Sequence, residues 1–449
     1  MYGIRRECRR TELKQLYRCR YLQTAANPKQ SPPTSVITST PKPAAPTPTS
    51  LSNPKLEHLV KSNFPKSRLC FAYGSKVLHQ LENLPTASTM TDLIFVTDDP
   101  AGWHEKNFKN NKHHYSVMMR LLGPRWVSLV QDVRPYCFFN PFVEVDGVLL
   151  KYGVISETHL MKDLQSWDTL YVAGRLHKPV LVLHQDPSFR GTYITRNLRS
   201  ALHTALLFLP ERFSDIQLFS VICNISYCGD VRSVFKVENP NKVRNIVEPN
   251  VEHFRNLYKS IIDESPFIER TDYGYCQAAK TEKNLRVMEK LLPPKLLYVP
   301  ENGSQPHSRT FNFDERIDTK HQLLRKVAVG DYRYTEEQIK KILFMPSVVQ
   351  SFKGVLTAGL FKSFKYSKAK LKKANPKSVA ITKSTSSDEL SLTNREAQLM
   401  STEYTVYRYN VSSKNPDFRK NVGLSFVIIM SGFLYIVYRQ KNYQSKVGV

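Results

Sequence analysis

The chain is short of acid. Against 65 Lys and Arg it carries 39 Asp and Glu, a net charge of +26 over 449 residues. That balance sets polyanions as partners: nucleic acid, nucleotides or an anionic membrane. It also lacks paired cysteine motifs. Its seven cysteines (Cys8, Cys19, Cys70, Cys137, Cys223, Cys228 and Cys276) are an odd, scattered set with no CxxC. Cys223 and Cys228 are five apart, which is not a zinc spacing. This excludes a structural zinc site and reads as reduced thiols in a reducing compartment. His104, His113 and His114 face no second Cys/His cluster, so they read as helix-surface or nucleotide-pocket groups rather than metal ligands. The N-terminus has no apolar core of the secretory kind, which excludes a secretory signal.

What the N-terminus does have is positive charge. Residues 1–50 hold nine Lys or Arg and two acids, Glu7 and Glu12. Arg5, Arg6, Arg9, Arg10, Lys14, Arg18 and Arg20 cluster around Leu13, Leu16 and Tyr17. The pattern suits a basic amphipathic import signal, or else a disordered basic arm. From Asn27 to Asn53 Pro, Ser and Thr dominate, a composition unable to bury enough apolar surface to fold. Residues 1–54 are therefore expected to be a transit peptide and linker.

The stretch that organises the rest runs Phe71-Ala72-Tyr73-Gly74-Ser75-Lys76-Val77, and then Thr91-Asp92-Leu93-Ile94-Phe95-Val96. An apolar run opens into Gly74-Ser75, where a residue without Cβ lets the backbone approach a polyphosphate and lets a helix begin with free N–H groups. A second strand then begins with one carboxylate, Asp92, the usual kind of protein ligand for a Mg²⁺ shared with phosphates. Gly-Ser followed by a strand opening in Asp resembles the signature of the nucleotidyltransferase superfamily.

Apolar runs at Leu69–Val77, Leu93–Val96, Val148–Val154 and Val180–His184 alternate with longer mixed segments, the rhythm of an α/β domain over residues 55–194. Lys112–Leu122 reads as helix, closed by Gly123-Pro124. Over 195–340 the segments Arg196–Leu209, Val251–Ile262 and Lys280–Leu292 read as helices, with short apolar runs such as Ile216–Ile222 between them. Helices around a small sheet would make a second, smaller domain. From Gln338 to Ser387 there are eleven lysines and no acid. Val355, Leu356, Leu360, Phe361 and Phe364 recur there at roughly helical spacing beside Lys353, Lys362, Lys365, Lys368 and Lys370. Residues 341–375 thus read either as a basic amphipathic helix on an anionic membrane surface or as a helix packing its apolar face on the core. Residues 376–420 read as a disordered linker. Val422–Tyr438 runs seventeen residues without charge, about 25 Å as a helix. It is a candidate membrane anchor within 421–440, with a buried helix as the other reading.

Further motifs follow in order: Asp98-Asp99-Pro100-Ala101-Gly102-Trp103-His104, His113-His114-Tyr115-Ser116, Leu149–Ser156, Leu170–Val180 and Lys353–Gly359. Together with the Gly-Ser and Asp92 segments they closely resemble the mitochondrial phosphatidate cytidylyltransferases, also called the translocator assembly and maintenance family, from about Leu56 to about Lys373. The resemblance implies a mixed α/β (α+β) fold, a nucleotidyltransferase-like domain followed by a mostly helical winged-helix-like one. It implies an enzyme that joins CTP to phosphatidic acid with Mg²⁺ on the matrix side of the inner membrane, giving CDP-diacylglycerol and pyrophosphate. On that footing Asp92 holds the metal, and Lys151 points a fixed cation into the same cleft. Tyr73, Gly74, Ser75, Lys76, Asn140, Arg175 and Lys178 serve the nucleotide, and Lys353, Lys362, Lys365 and Lys368 serve the membrane. Nucleic acid is not expected. The Val251–Ile262 helix mixes acids with its bases, and the lysine run is amphipathic rather than interleaved with stacking aromatics.

Two departures bear on activity. The superfamily's second carboxylate position is Ile94, apolar in this family too, so a second ligand must come from elsewhere: Asp98, Glu144 or Asp146. Where the family has Tyr-Gly-Ser-Gly and Gly-Ala-Gly-Val-Tyr, this chain has Tyr73-Gly74-Ser75-Lys76 and Val133-Arg134-Pro135-Tyr136-Cys137. Either the new cations replace lost backbone contacts, or the chain is a weak or inactive membrane-bound paralogue acting in assembly.

Overall fold

A computed structural model describes residues 52–78, 90–230, 241–297 and 330–358, with Leu323, Lys326 and Val327. Pro54–Asn63 (α1) starts where it does for local reasons. Asn53 Oδ1 accepts from Leu56 N at 3.0 Å, and Pro54 stands in the first turn, where its missing N–H costs nothing. Leu69–Tyr73 (β1) and Thr91–Thr97 (β2) then pair antiparallel. Pro100–Asn111 (α2) repeats the same device, with Asp99 Oδ1 accepting from Gly102 N at 3.0 Å.

The expected helix Lys112–Leu122 is broken. A short 3-10 turn, Lys112–His114, ends at Tyr115, which is extended and buries its ring. Ser116 then caps a new helix, Val117–Leu122 (α3), and Gly123 at φ +85 ends it. Pro124–Asp132 (α4) leads to a hairpin of Cys137–Val145 (β3) and Val148–Ser156 (β4). Glu157–Ser166 (α5), capped by Ser156, precedes Leu181–Gln185 (β5). The sheet order is β3-β4-β2-β1-β5, mixed because β2 and β4 run parallel.

Side chains alternate along a strand, so each face of this sheet has its own apolar cluster. Leu69, Phe71, Ile94, Val96, Phe139 and Ile155 lie on one face. Cys70, Ala72, Leu93, Phe95, Leu150, Tyr152 and Val154 lie on the other, closed by Leu56, Leu59 and Val60 of α1 and Trp103 of α2.

The first face is continuous with the helical half: Thr192–Phe208 (α6), Asp215–Ile225 (α7), Lys242–Val247 (α8), Val251–Glu264 (α9), Glu282–Glu289 (α10), Pro294–Leu297 (α11) and Tyr332–Ala358 (α12). Among them Arg212–Phe213 (β6), Ile268–Thr271 (β7) and Gly274–Gln277 (β8) form a small antiparallel sheet in the order β6-β8-β7. The run Ile216–Ile222 is helical rather than a link between helices. Ser214 and Gln217 build a capping box for α7, and Phe219 stacks on Phe254 with centroids 5.2 Å apart. Such a pair is worth about 0.5–1.5 kcal/mol beyond its burial. Phe71, Leu160, Leu202, Phe254 and Leu343 belong to one cluster, and all described residues fall in one compact unit. Position 194/195 lies inside α6 and is no break in packing.

The last helix begins at Tyr332, nine residues before the expected start at 341, and buries Ile339, Ile342 and Leu343 in the core. Residues 359–375, the linker 376–420 and the segment Val422–Tyr438 lie outside the described residues, as does the N-terminal signal. Among the described residues no helix is long and apolar enough to cross a membrane.

Candidate active site

Residues directly opposed in a sheet share a face. Tyr73 on β1 opposes Asp92 on β2, and Asp92 opposes Lys151 on β4. The three therefore form one row across neighbouring strands. Lys151 Nζ donates to Asp92 Oδ1 at 3.1 Å, and both side chains are about a quarter exposed. The Lys151 ammonium also stands 4.9 Å from the Phe139 ring centre. Gly74 follows Tyr73 at φ +86, and a Cβ there would lie 3.3 Å from Asp92 Oδ2. The glycine is needed on both counts: for its backbone angle and for room at the carboxylate. Gly74, Ser75 and Lys76 form a turn closed by Val77 N and Leu78 N on the Gly74 carbonyl, at 3.0 and 2.9 Å. The described residues show a turn as far as Leu78, and residues 79–89, where a helix would continue, lie outside them. Lys76 is exposed on that turn.

The next row in the same direction is sealed. Ile94 opposes Phe71 and Gly153 and is fully buried, which explains why no acid stands at that place. The three candidates for a second acid separate by position. Asp98 follows the far end of β2, about 20 Å of strand from Asp92. Asp146 sits in the β3–β4 turn and accepts from Asn63 Nδ2 at 3.0 Å. Glu144 opposes Leu149 and so shares the Asp92 face, exposed. Among the described residues no group of three His, Cys, Asp or Glu is placed to hold a metal. Asp92 stands as a single carboxylate.

Beside this row the loop after α5 is wound around one acid. Asp163 is buried and accepts from Thr169 N, Thr169 Oγ1, Leu170 N, Val172 N and Ala173 N, at 2.7 to 3.1 Å. Asn197 secures the other side, accepting from Trp167 Nε1 at 2.9 Å and donating to the Ala173 carbonyl at 2.9 Å. The loop so held presents two cations. Arg175 lies over the Tyr171 ring at 4.0 Å and the Tyr73 ring at 5.3 Å, with Nη1 donating to the Tyr171 carbonyl. Lys178 Nζ donates to the Gly174 carbonyl and to Ser226 Oγ, each at 2.6 Å, and burial pushes its ammonium down to about 8. Lys178 and Lys242 flank the Tyr227 ring, at 4.9 and 4.4 Å. These contacts hold Arg175 and Lys178 on carbonyl, hydroxyl and ring partners rather than on carboxylates, a setting that favours an anion.

Other expected site residues are elsewhere. Asn140 opposes Tyr152 and so lies on the opposite face from Asp92, fully buried, donating to Tyr152 Oη at 2.8 Å. It is a core residue and does not line the Asp92 cleft. The same network takes in His104, which meets Tyr115 Oη at 3.0 Å and Gln131 Oε1 at 2.8 Å, and His114, which meets Tyr152 Oη at 3.1 Å. Both are buried rather than on a helix surface or in a nucleotide pocket, and burial lowers each to about 4. His113 is exposed.

Lys353 is the largest correction. It is 2% exposed, and its Nζ donates to the carbonyls of Gln131, Val133 and Cys137 at 3.2, 2.6 and 3.2 Å. It closes the C-terminus of α4 and the loop into β3, and does not face a membrane; its apolar stem and those carbonyls outweigh exposure. Lys362, Lys365 and Lys368 lie outside the described residues. Arg134, next to Pro135 in the segment that departs from the family's Gly-Ala-Gly-Val-Tyr, pairs with Asp168 at 3.4 Å and donates to its carbonyl, fixing that loop by side chain.

The sequence profile described as "Phosphatidate cytidylyltransferase, mitochondrial" matches residues 56–373. The chain belongs to that family. The mouse protein of the same name is 40% identical over 322 residues, covering 70% of this chain and 93% of the relative. The fission yeast one, from Schizosaccharomyces pombe, is 34% identical over 323 residues, covering 67% and 78%. The human one is 37% identical over 311 residues, covering 68% and 67%. The mixed α/β fold expected of the phosphatidate cytidylyltransferase family is the fold described here. Two of this chain's own residues escaped sequence reading. Asp163 shows only as an acid between Leu160 and Leu164 on a buried helix face, and Tyr171 carries no signal beyond its place in the Leu170–Val180 motif.

Proposed function

We propose that this chain is a CTP:phosphatidate cytidylyltransferase of the mitochondrial inner membrane, working on its matrix side and supplying CDP-diacylglycerol for cardiolipin synthesis. Family membership supports the reaction, and the observation that carries it to these residues is the Asp92–Lys151 pair set against Gly74. A phosphate oxygen of phosphatidate attacks the α-phosphorus of CTP. The bond from that phosphorus to the bridging oxygen breaks, and pyrophosphate leaves. Attacking and leaving groups are already anionic, so the protein's work is charge neutralisation and alignment rather than proton transfer.

Gly74 and Ser75 offer backbone and hydroxyl contacts to the β- and γ-phosphates, with Lys76 at the rim of the same turn. Lys151 fixes a cation beside Asp92. Arg175 and Lys178, lacking carboxylate partners in the contacts described, suit phosphate as their counter-charge. A divalent ion fits Asp92. Its Oδ2 faces the gap left by Gly74, and a lone carboxylate suits Mg²⁺, which takes its remaining ligands from phosphates and water. Such an ion supplies charge neutralisation on the triphosphate.

The test is pyrophosphate release from CTP by the full chain with phosphatidate vesicles. Release that requires both CTP and phosphatidate is expected. Release with CTP alone, or none with both, contradicts the reading.

A further inference from the structure

We propose that α3 and the basic segment around it form a docking surface for an anionic lipid leaflet. Within this six-residue helix only Met119 is buried. Leu121 is 82% exposed and Val117 62%, and Met118 and Leu122 are exposed as well. They are four of the eight large apolar residues exposed among the described residues. Single exposed apolar residues are ordinary, but four in one short helix form a patch that marks a contact surface.

Charge decides what covers it. From Lys106 to Gln131 the chain carries five cations, Lys106, Lys109, Lys112, Arg120 and Arg125, and no acid. All five are exposed, and among the described residues only Lys109 has an acid within 4 Å, Glu105 at 3.7 Å. A second copy of the chain would bring the same cations against this face and be repelled. An anionic leaflet takes both features: apolar side chains enter the headgroup boundary while Arg and Lys meet lipid phosphates.

The patch is also fixed to the catalytic strand. Ser116 caps α3, Gly123 and Pro124 close it, and Met119 pins it inward. Three residues before Val117, His114 bonds Tyr152 Oη at 3.1 Å, and Tyr152 is the neighbour of Lys151 on β4. A leaflet held at α3 is thus held in a set relation to that strand. The choice of a lipid partner rests on the proposed lipid substrate; the exposure and charge do not. This surface is distinct from residues 341–375.

Amide hydrogen exchange on the full chain, with and without vesicles, tests the proposal. Phosphatidylcholine vesicles containing phosphatidate should slow exchange over residues 116–123 about tenfold, while pure phosphatidylcholine vesicles should not. The double variant Val117→Asp/Leu121→Asp, altered only at exposed positions, should lose that protection while its melting temperature stays unchanged. It should also turn over vesicle phosphatidate about tenfold more slowly and a water-soluble short-chain phosphatidate as fast as wild type. No protection with anionic vesicles overturns the proposal. So does protection that rises with protein concentration alone, which assigns the face to a second copy. Absence of turnover on both substrates counts against the proposed reaction and leaves the exchange result to decide the docking surface.

Discussion

Lys151 and Asp92 meet at 3.1 Å across two parallel strands, in direct register. Each is held from behind by a sheet buried on both faces, so their separation is set by strand spacing rather than by loop conformation. An amide at position 92 keeps the shape and removes the charge that Lys151 Nζ meets at 3.1 Å. Asp92→Asn is expected to lower turnover by about 10²–10³-fold, with an unchanged circular dichroism spectrum. Near-normal turnover would move the proposed metal site and the chemistry to other residues.

Gly74 offers a finer probe of the same place. Alanine there must hold φ +86 and put a methyl 3.3 Å from Asp92 Oδ2. The backbone strain costs about 1–2 kcal/mol. The effect on CTP should exceed what that strain predicts, because the methyl occupies the approach to the carboxylate. Steady-state kinetics should show a raised KM for CTP. An unchanged KM would mean that the nucleotide does not pass Gly74.

Asp163 is a prediction about positioning. Five donors converge on its carboxylate, and Asn can accept at only one side-chain oxygen while turning two N–H groups toward the loop's own N–H groups. A hydrogen bond to a charged acceptor is worth about 1.5–3 kcal/mol. Asp163→Asn should therefore cost about 3 kcal/mol or more in denaturant unfolding, and loosen Arg175 and Lys178. An unfolding midpoint equal to wild type would show that the loop is held by other contacts.

Four buried histidines give the fold an acid limit. Burial lowers His104, His114 and His203 to about 4 and His177 to about 3, from an ordinary 6.5. Between roughly pH 6.5 and 4 the unfolded chain binds protons that the folded chain refuses. Their contribution to stability is therefore complete above pH 6.5 and lost progressively toward pH 4. Thermal unfolding should show a falling Tm over that window, and a Tm flat from pH 7 to 5 would contradict the burial of these rings.

Much of this was legible in the chain. Strand runs showed as apolar stretches, and Gly74, Asp92 and Lys151 stand out because a glycine and two charges interrupt those stretches. Asn140 misled because the Phe-Asn-Pro motif that marks it does not say which face of the strand it takes, and its pairing with Tyr152 puts it on the face away from Asp92. Lys353 misled for another reason. A lysine at helical spacing among Phe and Leu reads as a wet face, and only tertiary contact shows three carbonyls waiting for it. Asp163 shows in the sequence only as an acid beside Leu160 and Leu164, with nothing to mark the loop it gathers.

The proposed reaction breaks the bond between the α-phosphorus of CTP and its bridging oxygen and transfers the cytidylyl group to a lipid. Its most direct measurement follows label from CTP into organic-extractable lipid, using the full chain and phosphatidate vesicles. Label at the α-phosphorus should enter the lipid phase as CDP-diacylglycerol, and label at the γ-phosphorus should remain in aqueous pyrophosphate. Lipid labelled from the γ position, or no lipid label with either, would contradict the account.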